Sequence, residues 1–312
     1  MRLHSIPEFK VMKTKSAAYF RLLASLAPLL AGASLCAAPL TWFPGPTLDS
    51  PISSAATTVA SGFGNVLIGG DSYYDGYGYP ISYPQNLIAT NAYWGSLGAL
   101  YSINIAPGAV ANPDLILLYG GTDGTNSTSA VLAYSLTGDN VPTPLPMSVP
   151  RSYLGYAPDG SGNAYAIGGL DDTGQPLATV ERCNLNTGIW TNITELPAAR
   201  YNFPAGFDRT NRIYIFGGRT NTSAGAEIAS VLRYSTQSRT WTAVASLPVP
   251  TAGSAATLGV DGKIYVVGGA SGGVTTNVVQ VYNPSANTWT LSTPLPEGLN
   301  AASIGVDSLA GC

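Results

Sequence analysis

The sequence predicts an all-β chain of repeated, four-stranded antiparallel sheets, and three observations carry that prediction. An apolar run closed by a Gly-Gly pair recurs at Gly69-Gly70, Gly120-Gly121, Gly168-Gly169, Gly217-Gly218 and Gly268-Gly269, with spacings of 51, 48, 49 and 51 residues. A tyrosine and a tryptophan seven residues apart follow in fixed phase, as Tyr234 with Trp241 and Tyr282 with Trp289. Finally, 36 glycines and 23 prolines stand in a chain of 312 residues of which only 10% are charged, against roughly 25% in an average soluble domain. Surface helices need Lys, Glu and Arg, whereas tight turns need Gly and Pro. With 10% aromatic residues the chain is also too apolar to stay disordered.

Each unit divides into four short strands, a to d. In the fifth, strand a covers 254–260 and strand b 263–267, joined by the hairpin turn Asp261-Gly262. Strand c covers 278–282 and strand d 288–292. The b strands are the apolar runs that end in Gly-Gly: 65–68, 115–119, 163–167, 212–216 and 263–267. Cys183 stands seven residues before Trp190 and so takes a tyrosine position, while Tyr134 precedes Val141, where the tryptophan is lost. Six residues after each tryptophan comes leucine, at Leu196, Leu247 and Leu295, each followed by proline, and Trp94 with Leu100 keeps that spacing in the first unit. A four-stranded meander at this period is the mark of a propeller blade.

These residues resemble the kelch family of β-propellers. The likeness rests on the Gly-Gly pair after an Ile-Tyr-Val type strand, the Tyr and Trp seven apart, and the Leu-Pro that follows, and it extends over roughly residues 56–307. Gly-Gly lets strand b end in a backbone conformation closed to other residues, and Trp190, Trp241, Trp289, Tyr234 and Tyr282 are large enough to fill the space between blades. Residues 301–307 repeat 255–261 almost letter for letter, so a sixth unit begins with its strand a. Thr41-Trp42, with Leu48 behind, has the spacing of a strand d that could close the ring. The domain reading is therefore a propeller over 40–312 with five full repeats and a partial sixth. The missing strands favour a C-terminal truncation over five blades with irregular ends, because complete propellers avoid exposed edges. A truncated, non-functional remnant is the furthest alternative.

Residues 1–36 read as a signal peptide: Lys13, Lys15 and Arg21 precede an apolar stretch from 22 to 30, with small residues after it. Pro28 interrupts that stretch, which is too short for a transmembrane anchor. The expectation is a secreted, periplasmic or cell-surface protein with no stable membrane span after cleavage. Five of the fourteen basic residues and one of the seventeen acids fall in 1–36, which leaves nine basic against sixteen acidic residues. That balance gives no footprint for a phosphate backbone, so nucleic acid is excluded as a partner. Two distant cysteines, Cys183 and Cys312, make no disulfide framework.

Function is expected on the face where the b–c and d–a loops meet. The b–c loops, 71–86, 122–129, 170–177, 219–228 and 270–277, are long and unlike one another, as binding loops on a rigid scaffold tend to be. The kelch resemblance implies pocket-lining roles for Arg151, Arg200 and Arg219, whose guanidinium groups suit carboxylates. Their bland alternative is pairing with acids such as Asp171 or Asp172. Asn221 follows Arg219, and the first loop carries Asp71, Tyr73 and Tyr74, a composition suited to sugars or protein surfaces. The one histidine is His4, so after leader cleavage neither a Ser-His-Asp triad nor a histidine metal site is available, and no cofactor or metal is expected. Asp159-Gly-Ser161-Gly-Asn163 reads as a turn rather than a calcium loop. The leading expectation is thus a non-catalytic module that binds a protein or a carbohydrate. The alternative is a carbohydrate-active propeller resembling sialic-acid mutarotases, with Arg219 and Glu227 as its working residues.

Overall fold

The computed structural model describes residues 105–300, apart from 124, 137–143, 222–225 and 260, and before them the backbone of eight strands. The sixth repeat, the Gly69-Gly70 pair and Asp71 lie outside the described residues, as does most of the stretch read as a leader. Twenty-five strands and no helix make up the described chain. β1 (Phe20–Leu23) pairs antiparallel with β2 (Thr41–Pro44), so the segment expected to act as an N-terminal strand d pairs with a strand inside the leader region.

Five sheets follow in chain order, each an antiparallel meander. The first joins β3 (Ala56–Ala60), β4 (Gly64–Ile68), β7 (Gln85–Ile88) and β8 (Tyr93–Ser96), with a two-stranded excursion, β5 (Tyr73–Tyr74) and β6 (Pro80–Ile81), between its second and third strands. The second has three described strands, β9 (Gly108–Ala111), β10 (Leu115–Tyr119) and β11 (Val131–Ser135), and Val141 lies outside the described residues. The third runs β12 (Gly155–Pro158), β13 (Asn163–Ile167), β14 (Val180–Asn184) and β15 (Ile189–Asn192). The fourth runs β16 (Ala205–Phe207), β17 (Arg212–Phe216), β18 (Val231–Ser235) and β19 (Thr240–Val244). In the fifth, β20 (Ala255–Leu258), β21 (Ile264–Val267), β24 (Val279–Asn283) and β25 (Thr288–Leu291) form the sheet, and β22 (Ala270–Ser271) with β23 (Val274–Thr275) forms a separate hairpin. That hairpin turns on Gly272 and Gly273, at φ +57° and +77°, the left-handed pair that a tight two-residue turn needs. The innermost strands β3, β9, β12, β16 and β20 pack side by side in that order, which is the arrangement of propeller blades about an axis.

The core lies between sheets rather than within one. Along β17 side chains alternate: Ile213 and Ile215 pack on Tyr165 and Ile167 of the third sheet, whereas Tyr214 and Phe216 pack on Ile264, Val266 and Tyr282 of the fifth. The b strands β10, β13, β17 and β21 are therefore buried on both faces, the reason their sequences show no polar alternation. Strand d faces solvent, and its tryptophan straps two sheets together: Trp241 Nε1 donates to the Thr194 carbonyl at 3.1 Å and Trp289 Nε1 to the Ala245 carbonyl at 2.8 Å. Trp190 sits edge-on to Tyr119 of the second sheet with ring centroids 5.1 Å apart. Cys183, fully buried in the tyrosine position, contributes to the same cluster.

The glycine pairs do a defined job. Gly217 and Gly218 hold φ of +60° and +91°, and the Gly218 N–H donates to the Thr251 carbonyl at the entrance to the next sheet (2.8 Å). A Cβ on Gly217 would run into that same carbonyl oxygen. The bond recurs from Gly121 to Arg151, Gly169 to Arg200 and Gly269 to Leu299, so each pair clips one sheet to the next. Asp159 caps its a–b turn: its oxygens accept from the Ser161 and Asn163 amides, the Asn163 side chain and the Tyr165 hydroxyl.

Candidate functional site

The entrance to each sheet repeats one backbone arrangement. Ala106, Tyr153, Asn202 and Gly253 occupy equivalent positions two residues after the Arg151, Arg200 and Thr251 positions, and all four hold a left-handed φ between +52° and +65°. They are linked in series by backbone hydrogen bonds: Gly253 N–H donates to Asn202 O (2.8 Å), Asn202 N–H to Tyr153 O (2.8 Å) and Tyr153 N–H to Ala106 O (3.1 Å). These bonds join one sheet entrance to the next, and the strained conformations pay for them. The Asn202 and Asn300 side chains both reach the space above Gly253.

The residue before each of these pairs antiparallel with the residue after Gly-Gly: Ile105 with Thr122, Ser152 with Leu170, Tyr201 with Arg219, and Ala252 with Ala270. The returning b–c segment adds a further bridge, Thr122 with Ser127, Leu170 with Pro176 and Arg219 with Glu227. A regular backbone frame thus presents unrelated side chains at matching points.

Of the three arginines expected on this face, the structure keeps one there. Arg151 is fully buried in the wall: its guanidinium donates to Gly168 O (3.0 Å), Thr179 O (2.9 Å), Thr179 Oγ1 (3.2 Å) and Glu181 Oε1 (2.7 Å). Glu181 in turn accepts from the Ser148 and Val149 amides. The partner acid is therefore Glu181 on strand c, not Asp171 or Asp172. Arg200 is 3% exposed and donates to Gly217 O, Ser230 O and Ser230 Oγ. Leu232 holds the position equivalent to Glu181, so no carboxylate balances it, and burial pulls its guanidinium down to about 10. The fifth sheet substitutes Thr251, whose hydroxyl donates to Gly268 O, and Gln280, which bonds both polar groups of Val249.

Arg219 remains on the face, its side chain 22% exposed, and donates to Glu227 Oε1 at 2.6 Å. Burial pulls the Glu227 carboxyl up, but the Arg219 guanidinium outweighs it and holds the group below its usual range. Glu227 is thus an ionised partner of Arg219, a poor state for a general acid. Asn221 is exposed on the same loop and its carbonyl accepts from the Tyr201 hydroxyl (3.2 Å). Tyr73 and Tyr74 are described by backbone alone, as β5 in register with Ile81 and Pro80. The ring of Ala106, Tyr153, Asn202 and Gly253 was missed from sequence. Its signal is positional, two residues past the arginine or threonine that opens each unit, and the four residue types share nothing else.

Against known proteins, the KLHDC2/KLHL20/DRC7 Kelch-repeats domain model matches residues 158–303. The chain is 33% identical over 200 residues to Beta-scruin of Limulus polyphemus, covering 58% of this chain and 21% of that protein. It is 35% identical over 132 residues to Kelch repeat and BTB domain-containing protein 1 of Ectromelia virus (strain Moscow), covering 42% and 23%. With Kelch-like protein 35 of Homo sapiens it shares 32% over 139 residues, covering 44% and 23%. The matched stretches thus span 21–23% of the length of these relatives.

Proposed function

This chain belongs to the kelch-repeat family of β-propellers, and on that footing we propose that it docks a protein partner on the face where the b–c and d–a loops meet. The observation that carries the reading is the contrast between frame and content. At equivalent bridged positions the backbone repeats, while the side chains run Ile105, Ser152, Tyr201, Ala252 and Thr122, Leu170, Arg219, Ala270. A scaffold that needed these positions for packing would keep them alike, as it keeps Gly-Gly. Partner recognition needs them different.

A peptide-display selection tests this. Peptides enriched on the wild-type chain should lose binding at least tenfold on Arg219→Ala or Asn202→Gly and keep it on Thr242→Lys in the outer strand β19. Equal loss in all three, or none in any, overturns the reading. The same selection with an immobilised glycan panel covers the carbohydrate alternative, and turnover of a sialic acid anomer abolished by Arg219→Ala would favour the enzymatic one. Export is part of the proposal, resting on the basic and apolar order of residues 13–30. N-terminal sequencing of the secreted protein should begin after Ala33 or Cys36. Retention of an intact leader on an unexported chain would contradict it.

A further inference from the structure

Two seams between sheets follow one plan, and they differ in a single acceptor. Trp289 Nε1 donates to the Ala245 carbonyl across the fourth and fifth sheets, and Trp241 Nε1 to the Thr194 carbonyl across the third and fourth, so Ala245 and Thr194 hold equivalent places. Two residues before each tryptophan, Asn287 and Arg239 occupy equivalent turn positions at φ +54° and +56°. In the seam of the fourth and fifth sheets, Asn287 Oδ1 accepts from the Ala245 amide (2.9 Å) and from the Tyr282 hydroxyl (2.8 Å). In the seam of the third and fourth, Arg239 stands at that position, and a guanidinium only donates. Among the described residues nothing accepts from the Thr194 amide or the Tyr234 hydroxyl, the groups equivalent to those two donors.

A second guanidinium faces the same seam. Val180 packs with the fourth sheet and Cys183 with the second, so alternation along β14 aims Arg182 at the fourth. Its Nε is buried and has no hydrogen-bond partner. Burial raises the Tyr234 hydroxyl above its ordinary value, while the Arg239 and Arg182 guanidiniums pull the other way, which places both beside it. An amide, a phenol and two guanidiniums thus surround the point that holds an oxygen in the next seam. Among the described residues neither arginine forms an ion pair, although Glu195 follows Thr194 directly. The charge extends past the seam: Arg182, Arg209, Arg212, Arg233 and Arg239 are five of the nine basic residues outside 1–36, all on or beside the fourth sheet. Asp208, the acid of the same a–b turn, is engaged by the Thr210 amide and the Tyr214 hydroxyl.

We propose that this seam binds a carboxylate side chain of an acidic polypeptide, one carboxylate oxygen taking the place that Asn287 Oδ1 holds in the next seam. Guanidinium forks match carboxylates in geometry as well as charge. Arg209 and Arg212, exposed beyond the seam, continue the positive surface over several side chains, which suits a run of carboxylates rather than a lone ion. The surface lies at the a–b and c–d turns, the end opposite the b–c and d–a loops, so the proposal goes beyond the reading above and does not depend on it.

The test uses the full chain and three fluorescein-labelled nonapeptides of one Gly-Ser background with three central Glu, Gln or Lys, read by anisotropy alongside a thermal melt of each variant. The Glu peptide should bind at least tenfold more tightly than the Gln peptide, and the Lys peptide should be weakest. Arg239→Asn writes the fifth-sheet residue into the fourth, so its own amide oxygen meets the Thr194 amide and the Tyr234 hydroxyl. That variant should lose at least tenfold for the Glu peptide while its melting temperature stays or rises. Tyr234→Phe should weaken the Glu peptide at least threefold. Lys263→Gln removes one charge from the same end of the fifth sheet and should change binding less than twofold. A loss on Lys263→Gln equal to that on Arg239→Asn would mean diffuse attraction and overturn the proposal. Equal affinity for the Glu and Gln peptides, or a Glu preference that survives Arg239→Asn and is lost on Arg219→Ala, would overturn it too. An oligoglucuronate that binds where the Glu peptide does not would overturn the assignment to a polypeptide.

Discussion

Arg151 and Arg200 occupy the same backbone position in consecutive sheets and stand in different electrostatic company. Arg151 has Glu181 at 2.7 Å, while Arg200 has only carbonyls and a hydroxyl. A buried charge left without its partner is far more damaging than the pair is stabilising. Arg151→Met should therefore cost about 3–5 kcal/mol in urea unfolding, because Glu181 stays buried and loses its counter-charge. The double change Arg151→Met with Glu181→Leu should recover much of that loss, and a double variant no better than the single would show that the pair is not the source. Glycine gives a second residue-scale comparison. Gly217→Ala places a methyl on the Thr251 carbonyl at φ +60°, so about 2–4 kcal/mol should go. Gly174→Ala, at φ +77° with nothing within 4 Å, should lose only about 1 kcal/mol. Equal losses would mean that the close approach between sheets carries no weight.

At the scale of the strand, most of the molecule was legible in sequence and the reason is periodicity. The apolar run 212–216 became β17 with its bounds intact, and 263–267 became β21 short by one residue, since burial on both faces leaves a strong, unbroken signal. The a strand expected over 254–260 is shorter, Ala255–Leu258, because Gly259 and Asp261 belong to the turn that Asp261 caps through the Lys263 amide. The hairpin of β22 and β23 was not read from sequence, although Gly272-Gly273 between Ser271 and Val274 carries the turn chemistry for it. The tryptophan straps show what strand d contributes. Trp289→Phe keeps the ring against Phe216 and removes the bond to the Ala245 carbonyl, so stability should fall by about 1 kcal/mol. A loss of 3 kcal/mol or more would mean that the indole fills volume that phenylalanine cannot.

For the molecule as a whole, the repeat was legible in sequence, whereas the burial of Arg151 and Arg200 between sheets, with Arg219 left partly exposed, was not. Arg151 and Arg200 stand out in a chain with so little charge, and that prominence reflects a structural role between sheets. Tyr153 and Asn202 are chemically ordinary, and only their shared left-handed conformation and the backbone bond between them mark them as equivalent. A repeat fold makes this division general: what recurs holds the frame, and what differs at recurring positions is available for recognition. Amide hydrogen exchange on the full chain, with and without a peptide from the display selection, puts that claim to its most direct test. New protection is predicted at 122–129, 152–153, 170–177, 201–202 and 219–221. Protection at Ile189–Asn192, Thr240–Val244 and Thr288–Leu291 instead would place the partner on the outer strands and contradict it.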